Sequence, residues 1–270
     1  MCVTCGTQFP SSSQKECPIC LDERQYVPAS GQKWTTLRGI QEVHQNKFEP
    51  FENDPRLTSI FSTPTFAIGQ RGILIRTPKG NILWDCISLI DEETISKVKE
   101  LGGLNAIAIS HPHYYSSMVE WSKAFNDIPV YIHKLDEQWI MNPDKRLTLW
   151  EGDTLDILDG EATMVRCGGH FDGSCVLHWE NKLFVGDTIK VLPDLNFVSF
   201  MWSYPNLVPL APQAIGEIWK AVKPFQFDEM YGAWVSHNLL RNARAIVLKS
   251  AQRYVRAENH PNDAILSESL

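Results

Sequence analysis

Long hydrophobic runs are missing from this 270-residue chain. None approaches the roughly 18–20 consecutive apolar residues that a bilayer-spanning helix needs, so no membrane association is expected. The first 25 positions hold polar residues and cysteines rather than a basic stretch followed by an apolar one. That pattern is not an export signal, and a cytoplasmic location is expected. Positive charge is also short, with 25 Lys and Arg against 32 Asp and Glu, a net charge of −7. A nucleic-acid binder displaces counterions with a basic patch, so this balance argues against nucleic acid as a partner. No internal repeat is evident. What remains is a chain 43% hydrophobic and 21% charged, ordinary for a globular protein and long enough to bury a sizeable core.

Cysteine is concentrated at one end. Four of the seven stand in the first 20 residues as Cys2-x-x-Cys5 and Cys17-x-x-Cys20, while Cys86, Cys167 and Cys175 lie scattered in apolar surroundings. Paired C-x-x-C units in an intracellular chain indicate a metal site rather than a disulfide framework. Each unit makes a tight turn that aims two thiolates at one ion, and together they complete a tetrahedral shell. Gly6 and Pro18 suit such turns. So short a segment cannot fold by burial alone, and metal binding would supply its folding free energy. Residues 1–26 therefore read as a metal-stapled unit that resembles a zinc ribbon or rubredoxin-like knuckle. Zinc is expected there and iron is the alternative, because four thiolates accept either. The sequence does not name a protein partner for this knuckle.

Residues 27–60, with Pro28, Pro50 and Pro55, read as a linker that packs on the main body. Residues 61–256 form that body. Strands are predicted at Phe66–Ile68, Gly72–Thr77 and Asn81–Cys86, then a helix over Asp91–Gly102. The apolar run Leu104–Ser110 has strand length, Ser117–Phe125 has helical spacing, and Pro129–His133 is another strand. Strands follow at Leu147–Trp150, Thr154–Leu158, Ala162–Arg166, Cys175–Trp179 and Leu183–Val185, with Asn181-Lys182 turning the last pair. An aromatic stretch at Leu192–Pro212 reads as a packed surface loop. Ala214–Val222 is a helix, Phe227–Tyr231 a strand and Arg241–Arg256 a final helix, and the tail 257–270 is expected to fray. Two β-rich halves with interleaved helices indicate a layered α/β fold.

The chemistry sits at the ends of apolar strands. His111-Pro112-His113 follows Leu104–Ser110, and two imidazoles one residue apart can point at one ion. His170 lies in Gly168-Gly169-His170-Phe171-Asp172-Gly173-Ser174, Asp187 in Gly186-Asp187-Thr188, and His237 in Ser236-His237-Asn238. Three neutral imidazoles leave one of zinc's four positions open, as a catalytic site requires, with a carboxylate beside it. Water bound there falls toward a pKa of about 7 and supplies hydroxide at neutral pH. Phe197, Phe200, Trp202, Tyr204 and Trp234 read as an apolar pocket wall for a small-molecule substrate.

The order of strands, His-x-His, Gly-x-His-x-x-Gly-Ser, Gly-Asp-Thr and a late histidine resembles the metallo-β-lactamase-fold hydrolases over about residues 60–256. The resemblance implies an αββα sandwich with its metal site at the edge of the two sheets. It implies His111, His113 and His170 as ligands of a first metal, Asp187 as a shared or axial ligand, and His237 as the residue helping to hold a second. The usual motif continues as His-x-His-x-Asp-His, whereas here Tyr115 and Ser116 stand in the last two places. A single metal is therefore expected, zinc with iron as the alternative. Tyr115 is a hydrogen-bond donor to substrate or a packing residue, and Asp187 or His237 the base. The leading reading is a mononuclear hydrolase of a small ester, thioester, lactone or related electrophile. A mononuclear non-haem iron sulfur oxygenase and a non-catalytic binding module on a degenerate fold are the alternatives.

Overall fold

The computed structural model describes residues 1–10 and 14–270, and divides into two units, Met1–Trp150 and Glu151–Leu270. In the first unit, the short helices α1 (Pro18–Leu21) and α2 (Leu37–Gln41) precede strands β1 (Gln45–Pro50), β2 (Leu57–Thr63), β3 (Gly72–Thr77) and β4 (Gly80–Trp84). These four strands pair antiparallel in sequence order. Helix α3 (Glu92–Glu100) opens on an Asp91 carboxylate that accepts from the Thr94 N–H at 2.7 Å, a side-chain cap for the exposed first-turn donors. The chain then returns parallel: β5 (Ala106–Ala108), helix α4 (Met118–Ala124), β6 (Val130–His133) and β7 (Leu147–Trp150) complete a seven-stranded sheet in the order β1 to β7. Strand β5 is buried at all three residues, as its unbroken Ala-Ile-Ala run requires of a central parallel strand.

The second unit carries a six-stranded sheet. Its strands β8 (Thr154–Ile157), β9 (Ala162–Arg166), β10 (Cys175–Trp179) and β11 (Lys182–Phe184) are antiparallel neighbours. Two short pairs follow, β12 (Lys190–Val191) with β13 (Val198–Ser199), and β14 (Met201–Ser203) with β15 (Val208–Pro209). After helix α5 (Pro212–Val222), strand β16 (Glu229–Tyr231) joins β11 in parallel and β17 (Asn238–Leu239) closes that edge, ahead of helix α6 (Ala243–Ala257). Ile215, Ile218, Trp219 and Val222 of α5 and Val247, Ala251 and Val255 of α6 bury one stripe each in a common core with Val176, Leu183 and Met230 of the sheet. Both units are thus mixed α/β, in agreement with the expected class.

Three expectations need correction. Residues 45–50 and 57–60, read as part of a linker, are sheet strands, and prolines at 50 and 55 bound them rather than exclude them. Strand β1 is an edge, where a proline at the strand end costs no ladder bond on the open side. The turn between β10 and β11 is Glu180-Asn181, one residue earlier than predicted, because Trp179 pairs with Lys182 and Glu180 takes a positive φ. Phe66–Ile68 forms no strand.

The tail does not fray either. Ala264–Ser267 makes a 3-10 turn whose Ile265 is buried in the second unit's core. Gln252 Nε2 donates to the Ile265 and Glu268 carbonyls at 3.1 and 3.0 Å, and Lys223 Nζ lies 2.6 Å from Glu268 Oε2. Polar composition concealed one apolar anchor. Ile265→Ala is expected to lower the unfolding free energy by about 2–5 kcal/mol, the range for truncating a core isoleucine. Denaturant unfolding of the variant beside the parent reads this directly, and an unchanged midpoint would mean that the tail is not docked.

Candidate metal centre

Strand β5 delivers the first two histidines. Asp85, just past the parallel neighbour β4, holds a left-handed φ of 58° and accepts the Ser110 N–H on Oδ1 at 2.7 Å. That bond fixes the backbone one residue before His111. Ser110 Oγ lies 2.8 Å from His111 Nδ1, which orients the ring. Pro112–Tyr114 then winds one 3-10 turn, with proline at its first position where no N–H is needed. The turn brings the His111 and His113 rings to 5.2 Å, and Tyr114 packs edge-on against His111 at 4.3 Å. Both histidines are buried.

In the second unit, His170 follows Gly168 and Gly169, which adopt φ of 65° and 83°. A side chain at Gly169 would meet Ile218, Leu210 and Thr188 atoms at 2.9 Å, so the loop is closed to anything larger than glycine. His170 Nδ1 lies 3.0 Å from the Met201 carbonyl, an acceptor only, so Nδ1 carries the proton and Nε2 keeps its lone pair. That Nε2 stands 3.7 Å from Asp187 Oδ2. Asp187 stands three residues past the end of β11, and the next residue ties its loop to the histidine loop, since Thr188 Oγ1 donates to the Gly168 carbonyl at 2.5 Å.

The ligand atoms of His111, His113, His170 and Asp187 all lie within 4.8 Å of one another, and all four residues are buried. Burial of an ionised carboxylate among imidazole lone pairs is costly without a cation to satisfy them. The donor set fits a metal with three nitrogens and one oxygen in its shell.

His237 is not one of that group. It is half-buried, with Nδ1 3.2 Å from the Val235 carbonyl and its ring near Trp234. Tyr115 is buried with its hydroxyl 3.5 Å from the Asp136 carbonyl. Ser116 Oγ donates to the Cys86 carbonyl at 3.3 Å and accepts from Gln70 Nε2 at 3.1 Å. The two residues in place of Asp and His are therefore engaged with protein groups.

The expected aromatic wall divides. Phe200 is core, and Phe197 lies under Arg253 and Lys249. Tyr204 and Trp234 instead face a cation: Lys190 Nζ sits 4.1 Å from one ring centroid and 4.2 Å from the other. Burial lowers the Lys190 pKa, while the Asp187 carboxylate opposes that shift. The Tyr204 hydroxyl donates to the Asp187 backbone carbonyl at 2.9 Å. Position +3 from Asp187 on the next strand was the available signal.

Cys2, Cys5, Cys17 and Cys20 form a second buried group within the same limit. Cys2 and Cys20 sulfurs are 3.6 Å apart, as are those of Cys5 and Cys17. A tetrahedron with metal–sulfur bonds of about 2.3 Å has edges of about 3.8 Å, so the spacing fits one ion. Hydrogen bonds from Cys17 and Cys20 lower the Cys2 pKa, whereas the same network raises that of Cys5. Burial pushes the Cys86 thiol well up and the Cys167 thiol to about 12, so neither offers a thiolate at neutral pH.

The sequence profile of the metallo-beta-lactamase superfamily matches residues 70–238. The chain is 45% identical over 267 residues to "Uncharacterized protein YmaE" of Bacillus subtilis (strain 168), covering 96% of each. Among solved structures it is similar to the DIM-1 metallo-beta-lactamase, with a TM-score of 0.57, 14% identity, and 76% of this chain and 98% of that one covered. A metallo beta lactamase from Hirschia baltica gives a TM-score of 0.53, 16% identity and coverage of 76% and 96%. A flavoprotein from Thermotoga maritima gives 0.51 and 12%, with 77% of this chain and 61% of that one covered. These distant likenesses speak to the fold.

Gly169→Ala is expected to displace the loop that carries His170 and to weaken metal retention at the histidine group at least about tenfold. Forced contacts of this kind cost roughly 1–3 kcal/mol. Chelator competition on the purified variant measures the loss, and parent-like retention would contradict the packing argument.

Proposed function

The chain belongs to the metallo-beta-lactamase superfamily, and we propose that it is a hydrolase working with one metal ion held by His111, His113, His170 and Asp187. Its substrate would be a small ester, thioester or lactone that carries a negative charge. The observation that carries this reading is the buried four-donor group, whose ligand atoms lie within 4.8 Å of one another. A metal of this kind supplies a water of lowered pKa and polarises the carbonyl oxygen under attack.

The chain's own residues divide the remaining work. His170, with its Nδ1 proton given to the Met201 carbonyl, presents Nε2 and cannot turn away. Asp187 offers a carboxylate beside that nitrogen, able to orient a water and to hold its proton. Lys190, clamped between Tyr204 and Trp234, gives an ammonium of fixed position three residues beyond Asp187, suited to a substrate carboxylate. Clamping makes recognition cheaper, because little side-chain freedom is left to lose on binding.

Support for a single ion comes from the places where a second would need ligands. Ser116 and Tyr115 point their hydroxyls at protein carbonyls, and His237 is outside the donor group. Zinc is the first choice for the histidine group and for the cysteine group. Iron is the alternative at both, because the four-thiolate knuckle suits either metal. A colourless, oxygen-inert protein that loads zinc would set aside the iron oxygenase reading. The retained buried donor group weighs against a non-catalytic module.

His113→Ala is expected to lose the histidine-site metal and to reduce hydrolysis of an aryl ester or thioester panel at least about 100-fold, with one metal still on the cysteines. Full turnover in the metal-free variant would overturn the hydrolase reading. Lys190→Met is expected to raise KM for carboxylate-bearing substrates about tenfold or more while leaving neutral esters nearly unaffected. Since the Lys190 pKa is lowered, its charge is present at low pH and is lost as pH rises, so the preference for anions should fade at a lower pH than an exposed lysine allows. Equal effects on neutral and anionic substrates would remove Lys190 from recognition.

A further inference from the structure

The knuckle reaches the loop that carries His111 and His113. The Gln8 N–H donates to the Ser116 carbonyl at 3.0 Å, three residues beyond His113. Ser88 Oγ donates to the Gly6 carbonyl at 3.0 Å. The approach at Gly6 is close: it holds a φ of 80°, and a side chain there would lie 2.3 Å from Ser88 Oγ. Thr7 and Gln8 also line one small cavity with Tyr115, Ser116 and Val119.

Both ends of this connection are fixed by local geometry. On the knuckle side, the Cys2 N–H donates to the Thr7 carbonyl and the Gly6 N–H to the Cys2 carbonyl, at 3.0 and 2.9 Å. The turn that places Cys2 and Cys5 therefore also places Gly6 and Thr7, and Gln8 follows. On the loop side, Ser116 takes a φ of 45°, a left-handed conformation that costs a serine roughly 1–3 kcal/mol unless its surroundings hold it. Its side chain is held by Cys86 and Gln70, and its carbonyl by the knuckle. The turn Pro112–Tyr114 runs straight into it, with the Tyr115 N–H donating to the Pro112 carbonyl at 3.3 Å.

We propose that the four-cysteine knuckle is a positioning element for the histidine pair, so that filling the thiolate site strengthens metal binding at His111 and His113. The Gln8 N–H and the Ser88 hydroxyl are the two links, and the Ser88 carbonyl in turn accepts the Ser117 hydroxyl at 2.8 Å, one residue beyond Ser116. This inference rests on the reading that the histidine group holds a metal. Coupling through a shared, pinned loop is reciprocal: whatever the thiolate metal contributes to the histidine site, the histidine metal returns.

The test uses the full-length protein with its cysteine site loaded, and Co(II) as probe, because thiolate-bound and imidazole-bound cobalt absorb differently and report each site separately. Gln8→Pro removes the backbone donor, Gln8→Ala keeps it, and Ser88→Ala removes the hydroxyl. The expected result is histidine-site affinity about tenfold weaker in Gln8→Pro and in Ser88→Ala, parent-like affinity in Gln8→Ala, and one cobalt on the cysteines in all three. A general structural effect would lower the melting temperature and both sites together, and would not be rescued by alanine at position 8. Should Gln8→Pro fail to keep its cysteine metal, Ser88→Ala decides. Parent-like histidine-site affinity in Ser88→Ala overturns the positioning role. A parent protein that takes no cobalt at the histidines sinks the metal-site reading itself, which is a separate result.

Discussion

Four buried donors that cannot all be satisfied by one another are the constraint on which this structure depends. A carboxylate and three imidazoles gathered within 4.8 Å and buried give up their hydration to stand together. A cation reverses the sign of that arrangement, and much of the surrounding chain serves to keep the donors from relaxing in its absence. Asp85 holds the backbone before His111, Met201 fixes the His170 tautomer, and Thr188 joins the two loops that bear His170 and Asp187. These contacts are to backbone groups, which do not swing away as side chains do. A preformed site of this kind spends folding energy on geometry rather than on burial.

Sequence period and punctuation made much of the fold legible. Gly72–Thr77, Leu147–Trp150, Ala162–Arg166 and Cys175–Trp179 coincide with strands, since an apolar run of that length between turn residues has few other uses. The edge strand Gln45–Pro50 escaped notice because it is mostly exposed, carries no apolar alternation and ends in proline. The tail escaped because a single buried isoleucine among polar residues has no period. In both cases tertiary pairing, rather than local pattern, decides the structure.

At the site, residue type and spacing revealed the donors but not their supports. Histidine and aspartate at strand ends announce themselves, whereas a carbonyl such as that of Met201 is invisible in a sequence. The aromatic residues were visible, yet their partner was not: Tyr204 and Trp234 flank Lys190 instead of forming an apolar wall. Side-chain direction follows from φ and strand register, which composition does not encode. The same holds for Tyr115 and Ser116. Their identity departs from the His-x-His-x-Asp-His pattern, while their hydrogen bonds to Asp136, Cys86 and Gln70 show what holds them in the loop instead.

The central claim is one metal at the histidine group and one at the cysteines. Anomalous diffraction from crystals of the loaded protein, collected across the absorption edges of zinc and iron, locates and identifies each ion in a single measurement. The account predicts two peaks per chain, one among His111, His113, His170 and Asp187 and one among the four cysteines. A third peak beside Asp187 and His237, or no peak at the histidines, would contradict it.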